Sequence, residues 1–269
     1  MRESENYCEN LKCRLSTEWV AKDVRYFMET DSTNLQARLA AEQGALHGTL
    51  LVAESQTAGR GRRGRSWNSD AEGNLYFSLL LKPDFSVEIA SMVTLVMGLA
   101  VAETIREKCE LDALIKWPND VVVNGKKVCG ILTELGLNGN AIDDLVVGVG
   151  INVGQREFAL EIASTATGLV IEAGGEVDRE ELLAGVLQRF ETLYEVFAGD
   201  GNLRSLRERY DELLINKGRE VRVLDPREEY TGVASGITEM GELLVEKPGG
   251  EVEKVYAGEV SVRGIYGYV

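Results

Sequence analysis

The turn pattern in residues 114–153 constrains the fold more than any other feature of the sequence. Short apolar runs in this segment alternate with turn signals at residues 118–120, 124–126 and 138–140. This spacing is typical of strands joined by tight antiparallel connections. The sequence therefore predicts a sheet that is antiparallel or mixed.

Apolar periodicity predicts the remaining elements. Strands are expected at residues 24–29, 49–54 and 74–81, and helices at residues 35–42, 87–108, 178–197 and 203–214. The helix at 87–108 is apolar almost all round, which favours a buried helix across the sheet. After residue 216 only strand signals follow, at 221–223, 230–237, 243–245 and 254–262. We therefore expect two domains, residues 1–215 and a small barrel or sandwich at 216–269.

Charge, cysteine and histidine content exclude several function classes. Lys and Arg number 29 against 44 Asp and Glu, a formal net charge of −15, which repels a nucleic-acid backbone and argues against DNA as a partner. The cysteines form no Cys-x-x-Cys pair and His47 is the only histidine, so a zinc site has too few ligands. His47 lies in a polar turn and is better interpreted as a loop histidine than as a catalytic one.

The sequence also predicts a cytoplasmic protein without a membrane span. The opening segment is charged and polar, unlike a secretory signal. The longest apolar stretch, around residues 93–102, is well short of the roughly 20 residues that a membrane helix needs. Free thiols fit a reducing compartment.

A loop rich in glycine and arginine, QTAGRGRRGRSW at residues 56–67, is the clearest candidate for function. Alternating glycines expose backbone N–H groups and arginines add planar cations, so such a loop can wrap an anion. It lacks the spacings of dinucleotide-binding and P-loop motifs. Taken alone, it is equally a solvated basic loop or an RNA contact.

Three further segments carry polar or glycine-rich patterns. KWPND (residues 116–120) ends an apolar run and can direct Lys116 into a cleft, although a surface lysine before an ordinary turn fits as well. DSTN (31–34) can bind a polar ligand or cap a helix. GVGIN (148–152) permits close approach to a strand backbone.

Together these segments resemble the biotin protein ligase family. The resemblance covers about residues 25–263, with further matches in KVCGILTE (127–134) and AGEVSVR (257–263). It implies an α+β fold in which a mixed β-sheet has helices on one side, as in class II aminoacyl-tRNA synthetases, and a small C-terminal SH3-like β-barrel follows. It also implies two reactions in one site. Biotin and magnesium ATP form biotinyl-5′-AMP, and a lysine of a biotin carboxyl carrier domain then takes the biotin.

The resemblance also implies roles for particular residues. The predicted catalytic residues are Lys116, Arg60 and Arg62. The predicted biotin-binding residues are Ser32, Thr33, Asn34, Gln56, Gly59, Arg60, Gly61, Arg62 and Lys116. The predicted nucleotide-binding residues are Arg62, Trp67, Lys116, Asn119, Asn152 and Arg263. ATP with Mg²⁺ and biotin enter as substrates, no tightly bound metal or organic cofactor is expected, and the Mg²⁺ ligands are left open.

The chemistry of the first reaction agrees with this composition. A carboxylic acid with a pKa near 4 is already ionised at neutral pH, so its attack on a phosphate needs no general base. The reaction does need positive charge where two anions meet, which lysine and arginine supply. The glycines make the loop at 56–67 costly to order, so we expect it to be mobile when empty and to close over the acyl adenylate.

Several alternatives stay open at this stage. A lipoate or octanoate protein ligase shares the fold and the acyl adenylate, and the chain might instead be a non-catalytic biotin or nucleotide sensor or an RNA-binding protein. The residues ahead of Asp31 are too few for the winged helix-turn-helix of repressor-type family members, so no DNA-binding domain is expected. A homodimer through sheet edges is plausible from the resemblance alone.

Overall fold

The structure is a computed structural model that describes residues 2–69, 73–224, 229–257, 261–264 and 268–269, without the side chains of 2, 3, 5, 261 and 263. The α-helices are α1 (Arg2–Arg14), α2 (Thr33–Glu42), α3 (Val93–Cys109), α4 (Leu169–Glu172), α5 (Arg179–Asp200) and α6 (Arg207–Leu213), with 3₁₀ turns at Arg62–Gly64 and Val87–Met92. The strands are β1 (Val24–Thr30), β2 (Thr49–Gln56), β3 (Leu75–Leu81), β4 (Ala113–Lys116), β5 (Asp120–Val123), β6 (Lys126–Asn138), β7 (Ala141–Ile151), β8 (Glu220–Leu224), β9 (Glu229–Ile237), β10 (Leu243–Glu246), β11 (Val252–Val255) and β12 (Ser261–Gly264).

Within the described ranges, β1 to β7 form one mixed sheet in the order β1-β2-β3-β7-β6-β5-β4. Strands β1 and β2 are parallel, and the other neighbours are antiparallel. The hairpins predicted at 114–153 are β4 to β7, so the prediction of a mixed sheet is confirmed. Strands β6 and β7 lie at its centre and pair over nearly their full length, with Gly130 opposite Gly150.

The two faces of this sheet are covered differently. Alternate residues of β7, namely Val147, Val149 and Ile151, belong to the large apolar core that includes α3 and α5. On the opposite face Val146 packs in a smaller cluster with Ala37 and Ala40 of α2. The predicted α+β class is confirmed, and α2 adds a short helix on the face opposite the main helical layer.

Helix α3 is the buried central helix that residues 87–108 predicted. The segment Val87–Cys109 is long and apolar enough to span a membrane by composition, but 78% of its most apolar window is buried within the fold. It therefore has the environment of a core helix.

Helix α1 was not predicted from the sequence. Its segment is mostly polar, and only Tyr7 and Leu11 are buried apolar side chains, so its periodicity is weak. Tyr7 stacks on Tyr26 of β1 with ring centroids 4.3 Å apart, and Arg14 pairs with Asp178 at the start of α5. Packing against β1 and α5, rather than its own pattern, accounts for this helix.

The second sheet is antiparallel throughout the described residues, in the order β11-β10-β9-β8-β12. The strand predicted at 254–262 is divided between β11 and β12, and residues 258–260 of the AGEVSVR segment lie outside the described residues. The fully buried Trp117 joins the two sheets because its indole N–H donates to the Gly241 carbonyl at 3.0 Å. Its backbone N–H also donates to Asn216 at 2.9 Å.

Candidate active site

A partly open cavity lies on the α2 face of the large sheet, above β6 and β7 and beneath the loop at residues 57–67. The residues that line it are Ser32, Thr33, Asn34, Gln56, Arg60, Gly61, Arg62, Trp67, Asn119, Lys127, Gly130, Ile131, Leu132, Gly148, Val149 and Gly150. The charged side chains among them are two arginines and one lysine, so the lining is cationic.

The loop above the cavity is a narrow hairpin held by its own backbone. Arg60 and Ser66 form an isolated antiparallel bridge, and the N–H of Trp67 donates to the Gly59 carbonyl at 2.9 Å. Gly59 lies at the base of this hairpin, where a Cβ atom would come within 2.4 Å of the Trp67 carbonyl oxygen. Gly59 therefore serves the turn and does not itself line the cavity.

The indole of Trp67 lies directly on the backbone of the two central strands. A Cβ atom on Gly150 would lie 2.6 Å from the indole Nε1, and one on Gly130 would lie 2.7 Å from Cζ3. Glycine is thus required at both positions for this close approach. The buried Nε1–H donates to no atom in the part of the chain that the structure describes.

The DSTN segment lines the cavity at the start of α2. Ser32 occupies the N-cap position, but its side chain makes no capping hydrogen bond. The carboxylate of Asp31 instead accepts from the Ser32 N–H at 2.6 Å and from Gln36 at 2.9 Å. These hydrogen bonds favour the ligand-binding interpretation of Ser32 over the capping one.

A buried hydrogen-bond network connects α2 with β2 and β3. Gln56 accepts from the Thr33 N–H at 2.8 Å and donates to the Ser69 hydroxyl at 2.8 Å. The Ser78 hydroxyl lies 2.7 Å from Thr33 Oγ1 and 2.6 Å from Asn34 Oδ1. Side chains locked in this way present a rigid polar wall to a ligand.

Glu134 of β6 connects the arginine loop to α2. One of its carboxylate oxygens lies 3.1 Å from Arg60 Nη1, and the other accepts from Asn34 Nδ2 at 2.7 Å. The side chain of Asn34 lies over Gly148, where a Cβ atom would come within 2.0 Å of Oδ1. Glu134 therefore fixes the directions of Arg60 and Asn34 together.

Arg62 connects the loop to both sheets. Its guanidinium donates to Asn119 Oδ1 at 2.7 Å and to the carbonyl of Ala257, which follows β11. Asn119 donates in turn to the Ile131 carbonyl at 3.1 Å. Burial lowers the pKa of the Arg62 guanidinium, and the nearby Asp120 acts in the opposite direction. An arginine pKa starts so high that Arg62 keeps its charge.

Lys116, which the sequence predicted to be catalytic, does not line the described cavity, and its role stays a prediction. It is buried at the end of β4, with its ammonium 3.7 Å from the centre of the Tyr268 ring. Lys127 of β6 is the lysine that lines the cavity. Its Nζ lies 5.1 Å from the centre of the Trp67 ring and 2.6 Å from Asp120 Oδ1.

Asp120 is a largely buried carboxylate between these two lysines. Burial alone would raise its pKa, but the ammonium groups of Lys127 and Lys116 and hydrogen bonds from Lys127 and Tyr268 outweigh that effect and leave the pKa below its ordinary value. Asp120 is therefore ionised at neutral pH and anchors Lys127.

Neither Asn152 nor His47 lines the described cavity. Asn152 is buried and donates to the Thr167 carbonyl at 3.2 Å, a structural contact, and the side chain of Arg263 lies outside the described residues. His47 packs against Trp19 with ring centroids 4.4 Å apart and accepts from the Lys82 N–H, and burial lowers its pKa. Across the described ranges, no group of three or more His, Cys, Asp or Glu side chains is arranged to hold a metal ion.

Fold and cavity together define a protein with a cationic cavity on the open face of a mixed sheet. Comparison with known proteins identifies the family. A family model for the biotin/lipoate A/B protein ligase family matches residues 26–152, and a model for the biotin protein ligase C terminal domain matches residues 218–263.

Relatives and solved structures agree with both matches. A biotin--[acetyl-CoA-carboxylase] ligase of Paracoccus denitrificans is 32% identical over 243 residues, which cover 87% of this chain and 98% of that protein. The bifunctional ligase/repressor BirA of Bacillus subtilis is 33% identical over 92% of this chain and 76% of its own length. A biotin protein ligase from Aquifex aeolicus in complex with biotin and ATP superposes with a TM-score of 0.79 at 37% identity, covering 90% of this chain and 99% of that one. The chain belongs to the biotin protein ligase family.

Proposed function

We propose that this chain is an ATP-dependent biotin protein ligase that works in two steps. A carboxylate oxygen of biotin attacks the α-phosphorus of magnesium ATP, which yields biotinyl-5′-AMP and releases diphosphate. A lysine amine of a biotin carboxyl carrier domain then attacks the acyl carbon, so that an amide forms and AMP leaves. The observation that carries the proposal is the cationic lining of the cavity by Arg60, Arg62 and Lys127.

Each step of this assignment uses groups that the structure describes. The first reaction brings two anions together, and preorganised cations lower such a barrier more effectively than water does. Asp120 holds Lys127 through an ion pair of 2.6 Å, and the Lys127 ammonium lies near Trp67. We therefore assign to Lys127 the contact with carboxylate and phosphate, in place of the catalytic role that the resemblance implied for Lys116.

The polar wall and the indole account for the two substrates. Ser32, Thr33 and Gln56 offer hydroxyl, amide and backbone groups to the ureido ring of biotin. The flat face of Trp67 is a stacking surface for adenine. Closure of the hairpin over the product would exclude water from the mixed anhydride.

Magnesium, partners and location belong to the same proposal. Mg²⁺ enters with ATP as part of the substrate, and the macromolecular partner is a carrier domain of a biotin-dependent carboxylase. The free thiols support a cytoplasmic enzyme, and the net charge of −15 argues against DNA as a partner. A homodimer through sheet edges stays a proposal, and light scattering at micromolar concentration distinguishes one chain from two.

The test is intact-mass analysis of an apo biotin carboxyl carrier domain incubated with this protein, magnesium ATP and equal amounts of biotin and lipoate. We expect a gain of one biotin that requires ATP. A gain of one lipoyl group would assign the chain to lipoate ligation instead. Biotin binding without any gain would indicate a sensor, and salt-sensitive RNA binding without ATP turnover would indicate an RNA-binding protein.

A further inference from the structure

Tyr268 lies beside the active site although it is distant from the cavity residues in the sequence. Its hydroxyl donates to Asp120 Oδ2, and its ring faces the Lys116 ammonium at 3.7 Å. The neighbouring Val269 packs near the turn after β5, where a Cβ atom on Gly125 would lie 3.3 Å from its Cγ2. Residues 268–269 are thus seated on the β4–β5–β6 end of the sheet.

Asp120 joins Tyr268 to the cavity. The oxygen that does not face Tyr268, Oδ1, lies 2.6 Å from Lys127 Nζ. The hydrocarbon end of Lys127 lies over Gly130, with its ammonium close to the Trp67 ring. A continuous series of contacts therefore runs from the Tyr268 hydroxyl through Asp120 to the ammonium that lines the cavity.

Two lysines compete for the carboxylate of Asp120. Asp120 is attracted by the ammonium groups of both Lys116 and Lys127, so charge alone does not determine which lysine its carboxylate faces. Tyr268 removes this freedom in two ways, because its hydroxyl occupies Oδ2 and its ring satisfies the Lys116 ammonium through a cation–π contact. Oδ1 then faces Lys127, 2.6 Å from its ammonium.

We propose that Tyr268 is a positioning residue for biotin activation: its hydroxyl fixes the Asp120 carboxylate, which in turn holds Lys127 at the cavity. This inference rests on the proposed function, in which Lys127 faces the reacting carboxylate. Small misplacements of such a group have large kinetic effects, since catalysis depends on the position of charge at the reacting atoms.

The first test compares Tyr268→Phe with wild type in single-turnover formation of biotinyl-AMP. Phenylalanine keeps the ring over Lys116 and removes only the hydroxyl. We expect the rate constant to fall about tenfold while the KM for biotin changes less than about twofold. Tyr210→Phe is the matched control, because its buried hydroxyl makes no hydrogen bond among the described residues. An unchanged rate constant in Tyr268→Phe would overturn the inference.

The second test asks whether Tyr268 acts through Asp120. In an Asp120→Asn background, Tyr268→Phe should lower the rate constant for biotinyl-AMP formation by less than about a further twofold. The carboxylate that the hydroxyl orients is absent from that background. If the fold-losses in rate constant of the two single variants multiply in the double variant, the two residues act independently, which would contradict a positioning role.

A third readout does not depend on activity. Competitive acetylation with a dilute activated ester, followed by peptide mass spectrometry, compares the reactivity of Lys127 with that of its neighbour Lys126. Tyr268→Phe should raise the Lys127 to Lys126 labelling ratio severalfold, because Lys127 is released from Asp120. An unchanged ratio overturns the inference. Wild type that forms no biotinyl-AMP would instead overturn the proposed function, and the labelling ratio would still decide the role of Tyr268.

Discussion

The two faces of strand β7 carry opposite kinds of residue. Toward α3 and α5 the strand presents Val147, Val149 and Ile151, all buried in the main core. Toward α2 it presents Val146, which packs under that helix, and then Gly148 and Gly150, which have no side chain and lie against Asn34 and Trp67. The side chains of a strand alternate between its two faces. The alternation of valine and glycine in β7 therefore gives one face apolar side chains and the other face space.

The difference separates stability from chemistry. Burial of aliphatic groups on the helical face contributes to folding in proportion to the apolar area removed from water. Glycine on the other face contributes no such area and lowers strand stability. The α2 face of the strand, the site face, therefore contributes less buried apolar area but leaves space for Asn34 and Trp67. Burial on the helical face offsets that loss of stability. Substitutions on the site face should change catalysis or binding, whereas those on the helical face should change the free energy of unfolding.

Loss of the Lys127 ammonium should have the largest effect on the site face. Lys127→Ala should raise the activation free energy of biotinyl-AMP formation by about 2.7–4 kcal/mol. Removal of one preorganised hydrogen-bond donor has an effect of this size. Steady-state kinetics with diphosphate release measures it. Lys126→Ala, which changes the neighbouring lysine outside the cavity lining, is the control. A larger loss in Lys116→Ala than in Lys127→Ala would return the role to Lys116 and contradict our assignment.

Adding one methyl group at Gly150 should displace the indole of Trp67. Gly150→Ala places a Cβ atom 2.6 Å from Nε1, and relief of such overlap costs about 1–3 kcal/mol. We expect calorimetry to show weaker binding of ATP with biotin by that amount. Gly199→Ala in α5, where a Cβ atom meets nothing within 4 Å, should bind normally. Equal affinities in both variants would show that the contact with Trp67 is unimportant.

Arg62 should retain the acyl adenylate, because it holds the hairpin to Asn119 and Ala257. Arg62→Gly removes these charged hydrogen bonds, so biotinyl-AMP should dissociate on the order of tenfold faster and label bystander proteins. Mass spectrometry of a mixture of carrier domain and serum albumin measures this labelling. Arg63→Gly, at an exposed position of the same hairpin, should label the carrier alone. If Arg62→Gly labels the carrier domain alone, this prediction is wrong.

A conservative change on the helical face should affect stability only. Ile151→Val deletes one buried methyl group and should lower the free energy of unfolding by about 0.5–1.5 kcal/mol. Urea denaturation measures this loss, and kcat/KM of the folded protein should match wild type. A substantial change in kcat/KM would break the separation of the two faces.

Local patterns were sufficient for much of the fold. The hairpins of β4 to β7 and the helices α3 and α5 follow from turn residues and from apolar periods that the core satisfies. Helix α1 was missed because only Tyr7 and Leu11 are its buried apolar residues, and packing rather than pattern stabilises it. The domain boundary after residue 215 stays a prediction.

Many residues that line the cavity lie in compact motifs, at residues 31–34 and 56–67, which the sequence singled out; their roles stay predictions. The sequence did not single out Lys127, because it follows another lysine in a turn, where a solvated charge is the ordinary interpretation. Lys116, by contrast, precedes a distinctive Trp-Pro pair. Glu134 and Tyr268 act through contacts across the sheet and along the chain. Such contacts depend on strand register and tertiary packing, which a single sequence does not specify.

A crystal structure of this protein grown with biotin and ATP would test the account most directly. We predict that biotin and the nucleotide occupy the cavity on the α2 face of the sheet, with the Lys127 ammonium within hydrogen-bond distance of the biotin carboxylate or the α-phosphate. Ligand density elsewhere in the fold, or a carboxylate bound by Lys116 with Lys127 turned away, would contradict it.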